Sequence, residues 1–368
     1  MIDSTGKVAR VVAAAILVLG VGLPSYAAAP AGPAVEAQAR AIDEGLFLDI
    51  NGIEQWVTIR GQDQRNPVLL ILHGGPGMGM SNLAPFFADW EKTFTVVQWD
   101  QPRSGATDLK NLDTDKQPAT IARYKRDAFA VTETVLARLQ ARKLVLFGNS
   151  WGSLLGLEMI HERPELFSAY VGTSQAVGGK GNVQGYEMAL SAARERNDDF
   201  AIAALEKVGP PPYEKFEDFL VRQQYSNPPA MPATALETAA STELGKIMAT
   251  PPATGARYVA PVAPPQGYDF WARFLQVQSM TFRETWAWDA KNLGKKFAVP
   301  MFVYQGEVDV NTPLPATREW FEGVRAPKKT FEVIAGASHN TIAFAPKILE
   351  LMNRDVLPVV SGERVARR

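Results

Sequence analysis

The stretch Gly148-Asn149-Ser150-Trp151-Gly152 is the strongest chemical signal in the chain. It follows a short apolar run at 144–147 and opens a helical pattern, the strand-turn-helix setting that a G-x-S-x-G nucleophile elbow requires. Glycines fit the flanking positions because the turn is too tight for side chains there. A serine hydroxyl is a poor nucleophile until a base takes its proton and an acid holds that base in the right tautomer. The chain has only three histidines: His73, His161 and His339. His161 ends the helix that Ser150 begins, about 16 Å away at 5.4 Å per turn, and is out of reach. His339 follows an apolar run at 331–334, in the kind of loop where strand C-termini present functional groups, and is the base by elimination. Two carboxylates, Glu307 and Asp309, stand thirty or so positions earlier on the loop after the run at 301–304. Their spacing alone leaves both open as the acid.

An oxyanion needs backbone N–H groups that can approach it closely. The run 68–72 ends in His73-Gly74-Gly75-Pro76-Gly77, which makes Gly75 the expected donor together with the N–H of Trp151. His73 is read as a structural support for that loop, and Ser153 as an ordinary first-turn helix residue.

These groups need a scaffold that brings distant segments to one edge. Short apolar runs at 68–72, 95–99, 144–147, 169–171, 301–304 and 331–334 suit parallel strands buried on both faces. Helical patterns at 121–140 and 150–162 lie between them, giving an α/β fold with a mostly parallel central sheet and flanking helices. Asn51-Gly52, between β-type runs at 46–50 and 55–60, signals a hairpin. The alternation breaks between 174 and 297, where eleven of the 26 prolines fall between Pro210 and Pro265. That interval is expected to be an inserted, mainly helical cap. The resulting division is core 46–173, cap 174–297, core 298–360 and a tail at 361–368.

Composition narrows the function. The 368 residues carry 38 Lys and Arg against 39 Asp and Glu, a net charge of −1, with no basic excess pointing to nucleic acid. There is no cysteine, which excludes thiolate catalysis, disulfides and cysteine-ligated metals. Three widely spaced histidines lack metal-ligand spacing, so no metal is expected. Near the N-terminus, Lys7 and Arg10 precede an uncharged apolar run at 11–21 and the small residues Ser25 to Ala29. That run is about half of a membrane span, so a secretory signal peptide at 1–27 is expected rather than an uncleaved anchor. A linker at 28–45 would follow, and the mature protein would be periplasmic or secreted, without a stable membrane anchor.

His73 to Gly77, Trp99-Asp100-Gln101, Gly148 to Ser153, Gly306 to Asp309 and Gly336 to His339 together resemble the α/β-hydrolase superfamily, and within it the prolyl aminopeptidase (proline iminopeptidase) family. The resemblance covers about 46–171 and 301–357 and leaves the cap uncovered. It implies a triad of Ser150, Asp309 and His339, no cofactor, and a small-molecule or short-peptide substrate. Two departures stand out: Asp100-Gln101 is followed by Pro102-Arg103 where the family has Arg-Gly, and Asn149 replaces the usual Gly before the serine. Epoxide hydrolases and haloalkane dehalogenases share the glycine loop, but they carry Asp where Ser150 stands. The expected activity is therefore release of an N-terminal residue from short peptides, with an esterase or lactonase as the alternative and a non-catalytic binding protein as a third reading. An aminopeptidase must hold a cationic α-amino group, which asks for a carboxylate close by. Glu187 and Glu284 are the foremost candidates in the cap, beside Tyr186 and Trp286, with Glu195, Glu217 and Asp269 behind them.

Overall fold

The computed structural model describes residues 41–249 and 261–361. The signal-peptide expectation, most of the linker and nearly all of the tail lie outside the described residues. The described residues open with a hairpin, β1 (Ile42–Ile50) and β2 (Ile53–Gly61). Asn51 (φ 52°) and Gly52 (φ 86°) both take the left-handed backbone that a two-residue hairpin turn demands. The strand starts ahead of the expected core boundary at residue 46. Its first residues belong to an edge whose outer positions are exposed, so they read as polar linker.

Six further strands follow: β3 (Val68–Leu72), β4 (Thr95–Trp99), β5 (Leu144–Asn149), β6 (Phe167–Thr173), β7 (Met301–Gly306) and β8 (Lys329–Ile334). They form one eight-stranded sheet in the order β1-β2-β4-β3-β5-β6-β7-β8. Every pairing from β4 to β8 is parallel, and only β1 with β2 and β2 with β4 run antiparallel.

Alternation along each strand feeds two cores, because successive side chains point to opposite faces. In β3, Val68, Leu70 and Leu72 pack with α2 (Ile121–Arg138) and α3 (Trp151–Glu162), whereas Leu69 and Ile71 join the cluster that holds Trp90 and Ile348. Short α1 (Gly105–Lys110) precedes these two helices. Burying each such aliphatic side chain contributes about 1.5–3 kcal/mol, so both faces hold the sheet firmly. Strands β3, β5 and β7 are buried at every position and deliver their C-terminal loops to one edge.

Between β6 and β7 the chain leaves the sheet and forms α4 (Gly179–Glu195), α5 (Asp199–Val208), α6 (Phe216–Tyr225), α7 (Ala235–Ala249) and α8 (Phe270–Ala287). Among the described residues, the prolines at 210–212, 228–232 and 261–265 lie in the joints between these helices rather than inside them. Phe216, Phe219, Phe282 and Trp286 form an aromatic knot joining α6 to α8, with ring centroids 5.1–5.6 Å apart. The chain then returns through β7, α9 (Leu314–Gly323), β8, α10 (Ala345–Asp355) and the short α11 (Leu357–Val360).

Candidate active site

Ser150 sits on the turn between β5 and α3 with φ 53° and ψ −118°, a backbone conformation that a non-glycine residue holds only at a cost of about 1–3 kcal/mol. The turn is enforced by its neighbours. A Cβ on Gly148 would stand 2.5 Å from the Gly152 carbonyl oxygen, and one on Gly152 would stand 2.0 Å from that of Leu72. The Ser150 N–H donates to Thr173 O at the end of β6, at 3.0 Å, which fixes the height of the hydroxyl above the sheet.

The Ser150 hydroxyl lies 2.8 Å from His339 Nε2. On the other side of the ring, Nδ1 is 3.0 Å from both Asp309 carboxylate oxygens. With Nδ1–H donating to the acid, Nε2 is left free to accept the serine proton. Asp309 is fully buried and also accepts from the N–H groups of Asn311 and Thr312, both at 2.8 Å, and from the Thr312 hydroxyl at 2.6 Å. Burial pushes its carboxyl pKa up, but the charge of His339 and these hydrogen bonds outweigh it and hold the group below the usual carboxylate range. Glu307, the other candidate acid, turns away and accepts the Gly336 N–H at 2.8 Å, bracing the start of the histidine loop.

Gly75 has φ 123° and lines the same pocket as Ser150 and Trp151. Trp151 is the first residue of α3, where backbone N–H groups have no intrahelical partner, so its N–H is available to a ligand. His73 is buried behind this loop: its Nδ1 contacts Gly74 O at 2.7 Å and its Nε2 accepts the Gln101 N–H at 3.1 Å. Burial lowers its pKa, which keeps the ring neutral in this structural role. Gln101 binds the two halves together, donating to His73 O and accepting the Trp151 indole N–H at 2.9 Å. The departure after Gln101 leaves this support intact, because Asp100 still accepts from the N–H groups of Ser81 and Ala106.

A model of the alpha/beta hydrolase family matches residues 68–349, which contain the strand ends carrying Ser150, Asp309 and His339. The chain belongs to that family. This hydrolase is 40% identical over 131 residues to the Bacillus subtilis protein named "Probable aminopeptidase YbaC", a match spanning 35% of the chain and 41% of that relative. Among solved structures it is similar to a proline iminopeptidase-related protein of Thermus thermophilus, with a TM-score of 0.56 and 21% identity, covering 87% of this chain and all of that one. It is also similar to a membrane phospholipase A described as a bacterial virulence factor, at TM-score 0.55 and 16% identity, with 87% and 86% of the two chains covered. These two likenesses show the shared fold.

Several supports of the hydrolase site carry no sequence motif. Asn149 donates from its side-chain amide to Thr173 at 3.0 Å and to Thr341 at 3.2 Å, so the residue before the serine holds the loop that carries His339. Ser174 adds a bond to the His339 carbonyl at 2.8 Å. Ser153 is more than a helix residue: its hydroxyl donates to Ser150 O at 2.6 Å and accepts the Ala176 N–H at 2.9 Å. From the cap, Glu237 of α7 accepts the Ser338 N–H at 3.0 Å and hydroxyl at 2.8 Å, and Thr234 donates to Gly336 O.

The cap side of the pocket corrects the expectation about carboxylates. Glu284 spends a carboxylate oxygen on the Ile121 N–H at the start of α2, at 2.8 Å, and Glu187 is exposed on α4. Glu195, Glu217 and Asp269 are exposed too, and Asp269 caps α8. No Asp or Glu lines the pocket among the described residues; its walls are Trp286, Trp288, Phe219, Val177 and Leu154, and its charged side chain is Arg222. Trp286 is the aromatic residue of the expected pair that reaches the pocket, while Tyr186 packs inside the cap with Ala189 and Leu205. The carboxylates missed the site because the amphipathic helices that carry them bury apolar faces and turn charge to solvent.

Proposed function

We propose that this hydrolase is a serine hydrolase that cleaves small carboxylic esters or amides through an acyl-enzyme. The observation that carries the reading is the unbroken relay from the Ser150 hydroxyl to His339 Nε2 and from His339 Nδ1 to the buried Asp309. In the first step, Ser150 Oγ adds to the substrate carbonyl carbon while His339 Nε2 takes the hydroxyl proton. The carbonyl oxygen becomes an oxyanion, held by the N–H groups of Gly75 and Trp151. The tetrahedral intermediate collapses, the bond to the leaving group breaks, and His339 gives that group its proton. A water molecule then repeats the sequence on the acyl-enzyme and releases the carboxylic acid. Asp309 keeps its negative charge throughout and stabilises the imidazolium.

A fluorophosphonate probe tests the reading directly. It should label the wild type at Ser150 and leave Ser150→Ala unlabelled; an unlabelled wild type would favour a binding protein that has kept the fold.

A narrower reading, an aminopeptidase releasing the N-terminal residue of short peptides, is supported by the similarity to the Bacillus subtilis relative. The pocket does not support it, since no carboxylate among the described residues lines it to pair with a cationic amine. N-acetylating a dipeptide decides between them: an aminopeptidase loses cleavage, a general amidase keeps it, and an esterase cleaves neither form. The composition of residues 1–29 supports export to the periplasm or medium. Intact mass of the exported protein should begin after Ala27, and material still carrying Met1 would overturn that expectation.

A further inference from the structure

Arg222 is the anomaly of the pocket. It is 1% exposed, sits on α6 one helical turn beyond Phe219, and lines the same cavity as Ser150 and His339. Two of its five N–H donors are used, on the Asn311 side-chain oxygen at 2.7 Å and on Val310 O at 2.9 Å. Neither acceptor is charged. Its Nε is buried without a hydrogen-bond partner, and so is the hydroxyl of Thr285, which lines the cavity from α8. Asp309, the acid whose charge reaches Arg222, already has its oxygens engaged by His339, Asn311, Thr312 and Gln305. The Trp286 ring lies 5.7 Å from the guanidinium and offers it a face but no anion.

A buried cation without an anionic partner is costly, and proteins seldom keep one. Burial lowers the guanidinium pKa to about 10, so the group still carries its charge at neutral pH. The planar fork of N–H groups matches a carboxylate in geometry and charge, and the Thr285 hydroxyl in the same cavity adds a further donor.

We infer that Arg222, with Thr285, binds a carboxylate carried by the substrate, so that this hydrolase selects acids over their neutral counterparts. The inference rests on the serine hydrolase reading and names the substrate class for that site. The carboxylate can sit in either of two places: on the acyl part, as in the half-ester of a dicarboxylic acid, or on the leaving group, as in a short peptide with a free C-terminus. The same recognition serves both.

The test uses matched ester pairs on the full-length protein. For the acyl side, 4-nitrophenyl hydrogen glutarate is compared with 4-nitrophenyl methyl glutarate; for the leaving side, 4-acetoxybenzoate is compared with its methyl ester. Dividing the acid-to-neutral ratio of kcat/KM in the wild type by that in Arg222→Gln cancels the intrinsic reactivity of each ester. A quotient of about 100 in one pair is expected, and the pair that shows it locates the carboxylate. Thr285→Val should lower the same ratio by a smaller factor, and glutarate should inhibit the wild type competitively. If Arg222 only holds the Val310–Asn311 segment in place, both members of each pair fall together and the quotient stays near one, which overturns the proposal. Should Arg222→Gln fail to fold, a wild type that prefers the neutral esters and ignores glutarate overturns it equally. Fluorophosphonate labelling of the wild type reports separately on Ser150, so a failure here is distinguishable from a failure of the serine hydrolase reading.

Discussion

The two walls of the pocket are finished to different degrees. On the sheet side, the polar groups of the relay have partners within the protein: Ser150 has His339, His339 has Asp309, and Asp309 has four further donors. On the cap side, Arg222 Nε and the Thr285 hydroxyl are buried and unpartnered. Under the proposed mechanism, a wall complete in itself runs the same acyl transfer on any carbonyl placed before it. Under the carboxylate proposal, the incomplete wall is finished by the ligand, and so decides which carbonyl is placed there.

Removing the relay should have the severest effect. Ser150→Ala or His339→Ala should lower kcat by about 10⁴-fold or more, while thermal unfolding stays near that of the wild type. Asp309→Asn should lose about 10³- to 10⁴-fold, because the amide no longer favours the reactive tautomer, and Glu307→Gln should stay within a few-fold. Near-normal turnover by Asp309→Asn would make the acid assignment wrong. Asn149→Gly acts only by releasing the histidine loop, and a loss of about 10-fold in kcat with little change in KM is expected from steady-state kinetics. A change in KM alone would place Asn149 among substrate contacts instead.

The last effect lies outside the pocket and bears on stability rather than on turnover. Burial pushes the Glu91 carboxyl up to about 7, against about 4.3 in an unfolded chain, with Arg60 pulling the other way. The folded protein therefore retains a proton that the unfolded chain has already released. Its contribution is complete below about pH 4.3 and is lost as pH rises to about 7, a change on the order of 3–4 kcal/mol. Glu91→Gln should flatten that part of the stability profile in urea titrations at several pH values. An unchanged slope would mean that Glu91 ionises normally.

How far the sequence could be read follows the same division. Strands buried on both faces must be apolar throughout, so β3, β4, β5 and β7 stand out as runs. The beginning of β1, with exposed residues on its outer side, merges into the preceding segment. Ser150 and His339 lie in loops after strand ends whose tight turns constrain the neighbouring residues, which gives each a local signature, whereas Asp309 shares its loop with Glu307 and only the hydrogen bond to His339 separates the two. Arg222 has none. In Phe216–Tyr225 it looks like one more solvated charge of an amphipathic helix, and only the packing of α6 against β7's loop and α8 turns it inward. The acids of the cap invite the opposite error, since composition counts them without saying which way they face.

The grip of α7 on the histidine loop bears on how such proteins diversify. Insertions over a shared sheet are often treated as interchangeable modules, with specificity carried by the insert and turnover by the scaffold. Here Glu237 and Thr234, both from the insert, hold Ser338 and Gly336 on either side of Ala337 and next to His339. A chimera that received another cap would lose those anchors along with its old substrate preference. Its turnover would fall even on substrates that the new cap accepts, until residues equivalent to Glu237 and Thr234 were supplied.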